Sequence, residues 1–85
     1  MTRPYDDLDA LFTAQVEGYC SARMLAHRSH ISLGEARQVL EELRAMGCMD
    51  AFPDGKTMRY YITGAGKVYY DRLSHELDPR RRLSA

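Results

Sequence analysis

The chain is 85 residues long, 45% of them apolar, and its 12 basic and 12 acidic side chains cancel to zero net charge. That length fits one domain, which buries only roughly 60–65% of its unfolded surface, and it offers no apolar run of the about 18 residues that a membrane-spanning helix requires. The neutral balance counts against a strong sequence-independent hold on nucleic acid, which needs a basic excess.

A first helix is predicted over about Tyr5–Tyr19. Asp6 or Asp7 can cap it, and acids in the first turn suit the helix dipole. Leu8, Leu11, Phe12 and Val16 fall on one stripe at helical spacing, and Gly18 weakens the last turn. Ser21 is a good N-cap for a second helix over about Ala22–His27, with Met24 and Leu25 facing inward and Arg28, Ser29 and His30 in the turn beyond. The third helix opens at Ser32, where Ser32 and Glu35 have capping-box spacing. Leu33, Ala36, Val39, Leu40 and Leu43 form its apolar stripe, and Gly47 is placed to be its left-handed terminator. Two strands follow, Met49–Phe52 and Thr57–Ile62, joined by the turn signal Phe52-Pro53-Asp54-Gly55. In the second strand Met58, Tyr60 and Ile62 alternate with Thr57, Arg59 and Tyr61. Thr63 then caps a fourth helix over about Gly64–Leu77, with Val68, Tyr69, Leu73 and Leu77 as its stripe and Pro79 closing it. Residues 1–79 therefore read as a single domain, and residues 80–85, which contain Arg80, Arg81 and Arg82, as a disordered basic tail.

The charge is unevenly spread. Residues 1–20 set Arg3 against Asp6, Asp7, Asp9 and Glu17, whereas residues 21–31 carry Arg23, Arg28, His27 and His30 and no acid. A zero total can hide a basic face. No basic-then-apolar signal peptide is visible at the start. Cys20 and Cys48 are too few for a disulfide framework and read as small buried apolar residues of a reducing, cytoplasmic compartment.

The order helix, helix, helix, strand, strand, helix is that of a mostly helical α+β domain, the winged helix-turn-helix, with three helices, a two-stranded hairpin wing and a C-terminal helix. From about Leu8 to Leu73 the chain resembles the winged-helix repressors of the MarR and PadR kind. Leu40, Leu43, Gly47 and Met49 stand where such domains carry a leucine, a polar spacer, a glycine and apolar strand residues. Tyr60, Ile62, Thr63 and Gly66 match the Tyr-x-Leu-Thr-x-x-Gly run that leaves the wing. The resemblance implies a transcriptional regulator, a small dimeric repressor that binds double-stranded DNA in a sequence-specific way.

On that reading the third helix enters the major groove. Arg37 and Gln38 are its residues best able to reach base edges, because arginine pairs with guanine and glutamine with adenine in a bidentate way. Ser32 and the helix start can hold a phosphate, Arg23, Arg28 and His30 can touch the backbone, and Lys56 and Arg59 can reach it from the wing. Six tyrosines exceed what so small a core can bury. The outer faces of the first and fourth helices, with Tyr5, Leu8, Phe12, Tyr69, Tyr70, Leu73 and Leu77, are the expected homodimer interface.

An alternative is a winged-helix adaptor that binds a protein and no DNA. It is motivated by the zero net charge, the surplus tyrosines and the third helix, where Glu35, Glu41 and Glu42 outnumber Arg37 and Arg44.

Other chemistry finds little support. Gly64-Ala65-Gly66-Lys67 and Gly55-Lys56-Thr57 mimic pieces of phosphate loops, but Tyr69 and Asp50 stand where glycines are needed, so both read as turn and helix-start residues. His27, His30 and His75 with the two cysteines show no metal-ligand spacing. Ser21, Ser29, Ser32 and Ser74 all have cap or surface explanations, so no catalytic nucleophile, metal or cofactor is expected, and no enzyme.

Overall fold

A computed structural model describes residues 4–77. Four helices and one hairpin follow one another as α1 (Pro4–Glu17), α2 (Ala22–Ser29), α3 (Leu33–Ala45), β1 (Met49–Asp54), β2 (Thr57–Ile62) and α4 (Gly64–Leu77). The predicted basic tail and Pro79 lie outside the described residues.

Local chemistry sets most of the boundaries. α1 begins at Pro4, whose fixed φ suits a first helical position. Asp6 and Asp7 therefore sit inside its first turn rather than capping it. Gly18 takes a φ of 92° and ends the helix two residues before the predicted Tyr19. The Ser21 hydroxyl accepts from the Met24 amide at 3.3 Å to start α2. This helix runs to Ser29, two residues further than its pattern suggests, and is turned by His30 in the left-handed region at φ 55°. A non-glycine there costs roughly 1–2 kcal/mol, and the reward is a three-residue turn that drops the chain straight into α3. At Ser32 the capping box is complete: its hydroxyl accepts from the Glu35 amide at 3.1 Å, and the Glu35 carboxylate accepts from the Ser32 amide at 3.4 Å. Gly47 terminates α3 at φ 80°.

The hairpin is longer than its sequence suggests. β1 continues through Pro53 and Asp54, with Asp54 opposite Thr57. The reversal sits on Gly55 and Lys56, not on Phe52–Gly55. Gly55 carries a φ of 62° at the first central position, the arrangement that matches strand twist in two-residue loops. Tyr60 pairs with Ala51 on one side of β2. On the other side it exchanges two backbone hydrogen bonds with Cys20, at 2.8 and 2.9 Å. The α1–α2 connection thus serves as a one-residue third strand and anchors the base of the hairpin against the helices.

The core joins all elements: Leu11 of α1, Leu25 of α2, Val39, Leu40 and Leu43 of α3, Met49 and Tyr60 of the hairpin, and Leu73 of α4. Cys20 and Cys48 are buried there as free thiols, and burial pushes the Cys20 thiol up to about 12. Four stripe residues miss this core, among them Phe12 of α1, which is exposed. Val16 is 58% exposed, Leu33 42% and Val68 71%. Leu33 is the first residue of α3 and Val16 the last but one of α1, whereas Val68 lies in the second turn of α4. Met58 is likewise exposed although it alternates with Tyr60.

α1 and α4 lie side by side, and a polar contact joins them. Asp7 is 2% exposed, and its Oδ2 accepts from the Tyr69 hydroxyl at 3.1 Å. Thr63 connects α3, the wing and α4. Its hydroxyl donates to the Gly47 carbonyl at 2.7 Å and accepts from the Gly66 amide at 3.0 Å, and its own amide donates to the Cys48 carbonyl at 3.1 Å. Among the described residues no helix is long and apolar enough to cross a membrane.

Candidate nucleic-acid interface

The start of α2, the outer face of α3 and the wing enclose a cleft of about 320 Å³, lined by Ser21, Ala22, Arg23, Leu33, Arg37, Lys56, Thr57, Met58 and Tyr60. Three of these side chains are cationic and none is acidic. Each cation comes from a different element: Arg23 from the first turn of α2, Arg37 from the middle of α3 and Lys56 from the tip of the hairpin. The Ser21 cap fixes where α2 begins, the capping box fixes the rotation of α3, and Gly55 fixes the hairpin tip. Short-range signals therefore place all three charges.

The acids of α3 are disposed differently from a simple count. Glu41 accepts from the Tyr60 hydroxyl at 2.5 Å and from the Arg44 Nε at 3.0 Å. The Tyr60 hydrogen bond, with help from Arg44, holds the Glu41 carboxyl below the usual range. Burial first, and then the bond to Glu41, push the Tyr60 hydroxyl up to about 12, so Tyr60 remains a donor throughout the physiological range. Glu42 is half-buried and faces Asp7 of α1, and Glu35 is engaged in the cap. The acids of α3 thus do not share one face: the lining itself holds Arg37 and no carboxylate, while Glu41 stays ionised behind Tyr60, one helical turn from Arg37.

Of the other residues read as DNA-contacting, Gln38 is exposed on α3 beside Arg37, and His30 is exposed at the turn between α2 and α3. The Ser32 hydroxyl is already occupied by its own helix. Two arginines are drawn elsewhere. Arg28 lies over the Phe12 ring, 5.1 Å from its centroid, on the α1 side of the molecule. Arg59 stacks over Tyr19 at 4.2 Å and pairs with Asp54 at 2.8 Å. Strand alternation puts it on the hairpin face opposite Met58 and Tyr60. Leu33, which the helix stripe places inward, and Met58 are exposed lining residues, and the core residue Tyr60 also reaches the cleft. A helix-start position for Leu33 and a place next to the hairpin tip for Met58 were the available signals of exposure.

The residues expected at a dimer contact divide in a similar way. Tyr5 is exposed, and Phe12 stacks against Tyr70 with ring centroids 6.5 Å apart. Leu8, Tyr69 and Leu77 are half-buried against the core, and Leu73 is buried in it. Among the described residues no group of three or more histidines, cysteines or carboxylates could hold a metal ion.

No protein-family profile and no curated protein sequence matches the chain. Solved structures do match. A DNA-binding protein of Sulfolobus solfataricus, Sso10a-2, superposes with a TM-score of 0.82 at 19% identity, over 99% of this chain and 86% of that one. The transcriptional regulator BldR of Sulfolobus solfataricus gives 0.76 at 22% identity, over 86% of this chain and 54% of that one. A MarR family protein of Bacillus stearothermophilus gives 0.71 at 14% identity, over 89% and 53%. The chain thus spans about half the length of these two. Its fold is the winged helix-turn-helix, and its structural neighbours are MarR family regulators and DNA-binding proteins. At these identities the likeness concerns the fold, and function rests on the site.

Proposed function

We propose that this domain binds double-stranded DNA in a sequence-specific way and regulates transcription as a small cytoplasmic homodimer. The observation that carries the reading is the cleft in which Arg23, Arg37 and Lys56 converge from three elements with no acid in its lining. α3 would lie in the major groove with Arg37 and Gln38 toward base edges, while Arg23, His30 and Lys56 would meet the phosphates on either side. Occupying an operator is sufficient to repress, so a repressor is the simplest regulator of this design. The outer face of α1 and α4, where Tyr5 and Val16 are exposed beside the Phe12–Tyr70 stack, would join two copies so that their third helices address half-sites about one helical turn apart. Sedimentation at micromolar concentration checks this arrangement: a dimer is expected, and a monomer removes the paired half-sites.

The direct test of the reader is Arg37→Ala. On a duplex selected from a random library it should cost about 1–3 kcal/mol and relax preference at one position. Binding unchanged on every duplex would show that α3 does not read the groove.

The adaptor reading draws support from one other surface. Tyr19, Phe52 and Tyr61 cluster on the outer face of the hairpin, with Phe52 and Tyr61 edge-to-face at 5.7 Å, and Phe52 is largely exposed. Capture of a protein partner that is lost on Phe52→Ser, with no DNA binding at low salt, would favour it.

A further inference from the structure

The cleft has an apolar feature that phosphate binding does not use. Leu33, the first residue of α3, is 42% exposed and lines the cleft together with Arg37, one helical turn later. Residues spaced in this way have Cβ atoms about 5–6 Å apart on the same helix face. Between them lies Gly34. It has no positive φ and only open space around it, apart from the Ser32 hydroxyl 4.0 Å from where a Cβ would be. Gly34 is the second residue of α3, and neither a positive φ nor a close neighbour calls for a glycine there. A bare helix surface beside an exposed leucine suits close approach by a partner.

Resting on the DNA-binding reading, we propose that Leu33 is a specificity residue that recognises the methyl group of a thymine, one or two base steps from the guanine read by Arg37. Thymine is the one base that presents a methyl group in the major groove. An exposed leucine held against the donor or acceptor groups of adenine or guanine would strip water from them without replacing the hydrogen bond, and against cytosine it would find no methyl to cover. The helix spacing of about 5–6 Å corresponds to one or two steps of about 3.4 Å along a DNA strand. Gly34 would let the groove edge reach the leucine, and the surrounding cations would hold the backbone while it does.

Replacing single thymines by deoxyuridine tests this, because only the methyl is removed. The selected duplex would be titrated with wild-type protein, each thymine replaced in turn. One substitution near the guanine should weaken binding about fourfold, the value of one buried methyl or methylene group. Leu33→Ala should bind the thymine and deoxyuridine duplexes equally at that position; since Leu33 is exposed, the variant should fold, which circular dichroism checks. Wild-type binding that is indifferent to every replacement overturns the role of Leu33, and so does a Leu33→Ala variant that keeps the preference. Failure to select any duplex would overturn the DNA-binding reading itself and is distinguishable from either result.

Discussion

Gly66→Ala should lower the stability of the domain by about 3 kcal/mol, at the upper end of what overpacking costs. A Cβ at this position would stand 2.1 Å from the Cys48 carbonyl oxygen and 2.8 Å from Ile62 Cγ1. Its first neighbour is backbone, fixed by a hydrogen bond from the Thr63 amide to that same carbonyl, so no side-chain rotation can relieve the clash. The start of α4 would have to lift away from the end of α3, and Thr63 would lose its simultaneous contacts with Gly47 and Gly66. The helix-propensity gain of alanine over glycine, up to about 1 kcal/mol, offsets only part of this. Gly64→Ala provides the contrast. Nothing lies within 4 Å of a Cβ there, so it should be neutral or stabilising by less than about 1 kcal/mol. Thermal unfolding checks both: a loss of more than about 10 °C is expected for Gly66→Ala, given about 4–8 °C per kcal/mol in a domain this small. Equal midpoints for the two variants would contradict the close approach.

Asp7→Asn should stabilise the domain at neutral pH, by up to roughly 3 kcal/mol. Burial, against the opposing hydrogen bond from Tyr69 and with the nearby charges of Glu42 and Asp6, raises the Asp7 pKa from 3.8 to about 6. A raised carboxyl pKa means that the folded state prefers the protonated form. The associated stability is fully present below pH 3.8 and is lost as pH rises through about 6. Each pK unit is worth about 1.36 kcal/mol, so a displacement of about two units sets the upper bound. Asparagine keeps an oxygen that can accept from the Tyr69 hydroxyl but carries no charge to bury. Denaturant unfolding of both proteins from about pH 4 to pH 8 checks this. The advantage of Asp7→Asn should grow between about pH 4 and 6 and then level off. A constant difference, or one that shrinks as pH rises, would show that Asp7 is not destabilised by its surroundings.

These two positions illustrate what was legible in the sequence. Gly66 belongs to a recognisable run leaving the wing, and the run led to the correct fold. Its reason, a carbonyl touching the helix, depends on the three-dimensional approach of α4 to Cys48 and cannot be read from spacing. Asp7 was read as a first-turn acid serving the helix dipole, because its local context is that of a helix start. Only the tertiary contact with α4 and α3 makes it a buried carboxyl. Caps and turns that act within four residues, such as Ser21, the Ser32–Glu35 box and Gly47, were legible, because local chemistry decides them. The hairpin turn was displaced because Pro53 was weighed as a turn residue, whereas the strand admits it and Gly55 alone supplies the positive φ. Phe12, Val16, Leu33 and Val68 obey the periodicity and yet are exposed, because spacing along a helix does not say which side its neighbours cover.

The candidate site followed the same division. Of the eight residues the sequence offers for DNA contact, Arg23, Arg37 and Lys56 line one cleft. Arg28 and Arg59 have the same charge but are held by the aromatic rings of Phe12 and Tyr19, partners that are distant in sequence. The acids of α3, which argue for the adaptor reading, are divided: Glu41 keeps its charge while bonded to Tyr60 and Arg44, and Glu42 is half-buried.

A salt titration of binding to a selected duplex measures the proposed grip of the cleft's cations on DNA. Three cationic contacts predict an affinity loss of about fortyfold between about 50 and 200 mM salt for one copy, and on the order of a thousandfold for a two-fold pair. Lys56→Ala should flatten that slope. A chain that binds no duplex at low salt, or binds with an affinity independent of salt, would contradict a grip through these cations.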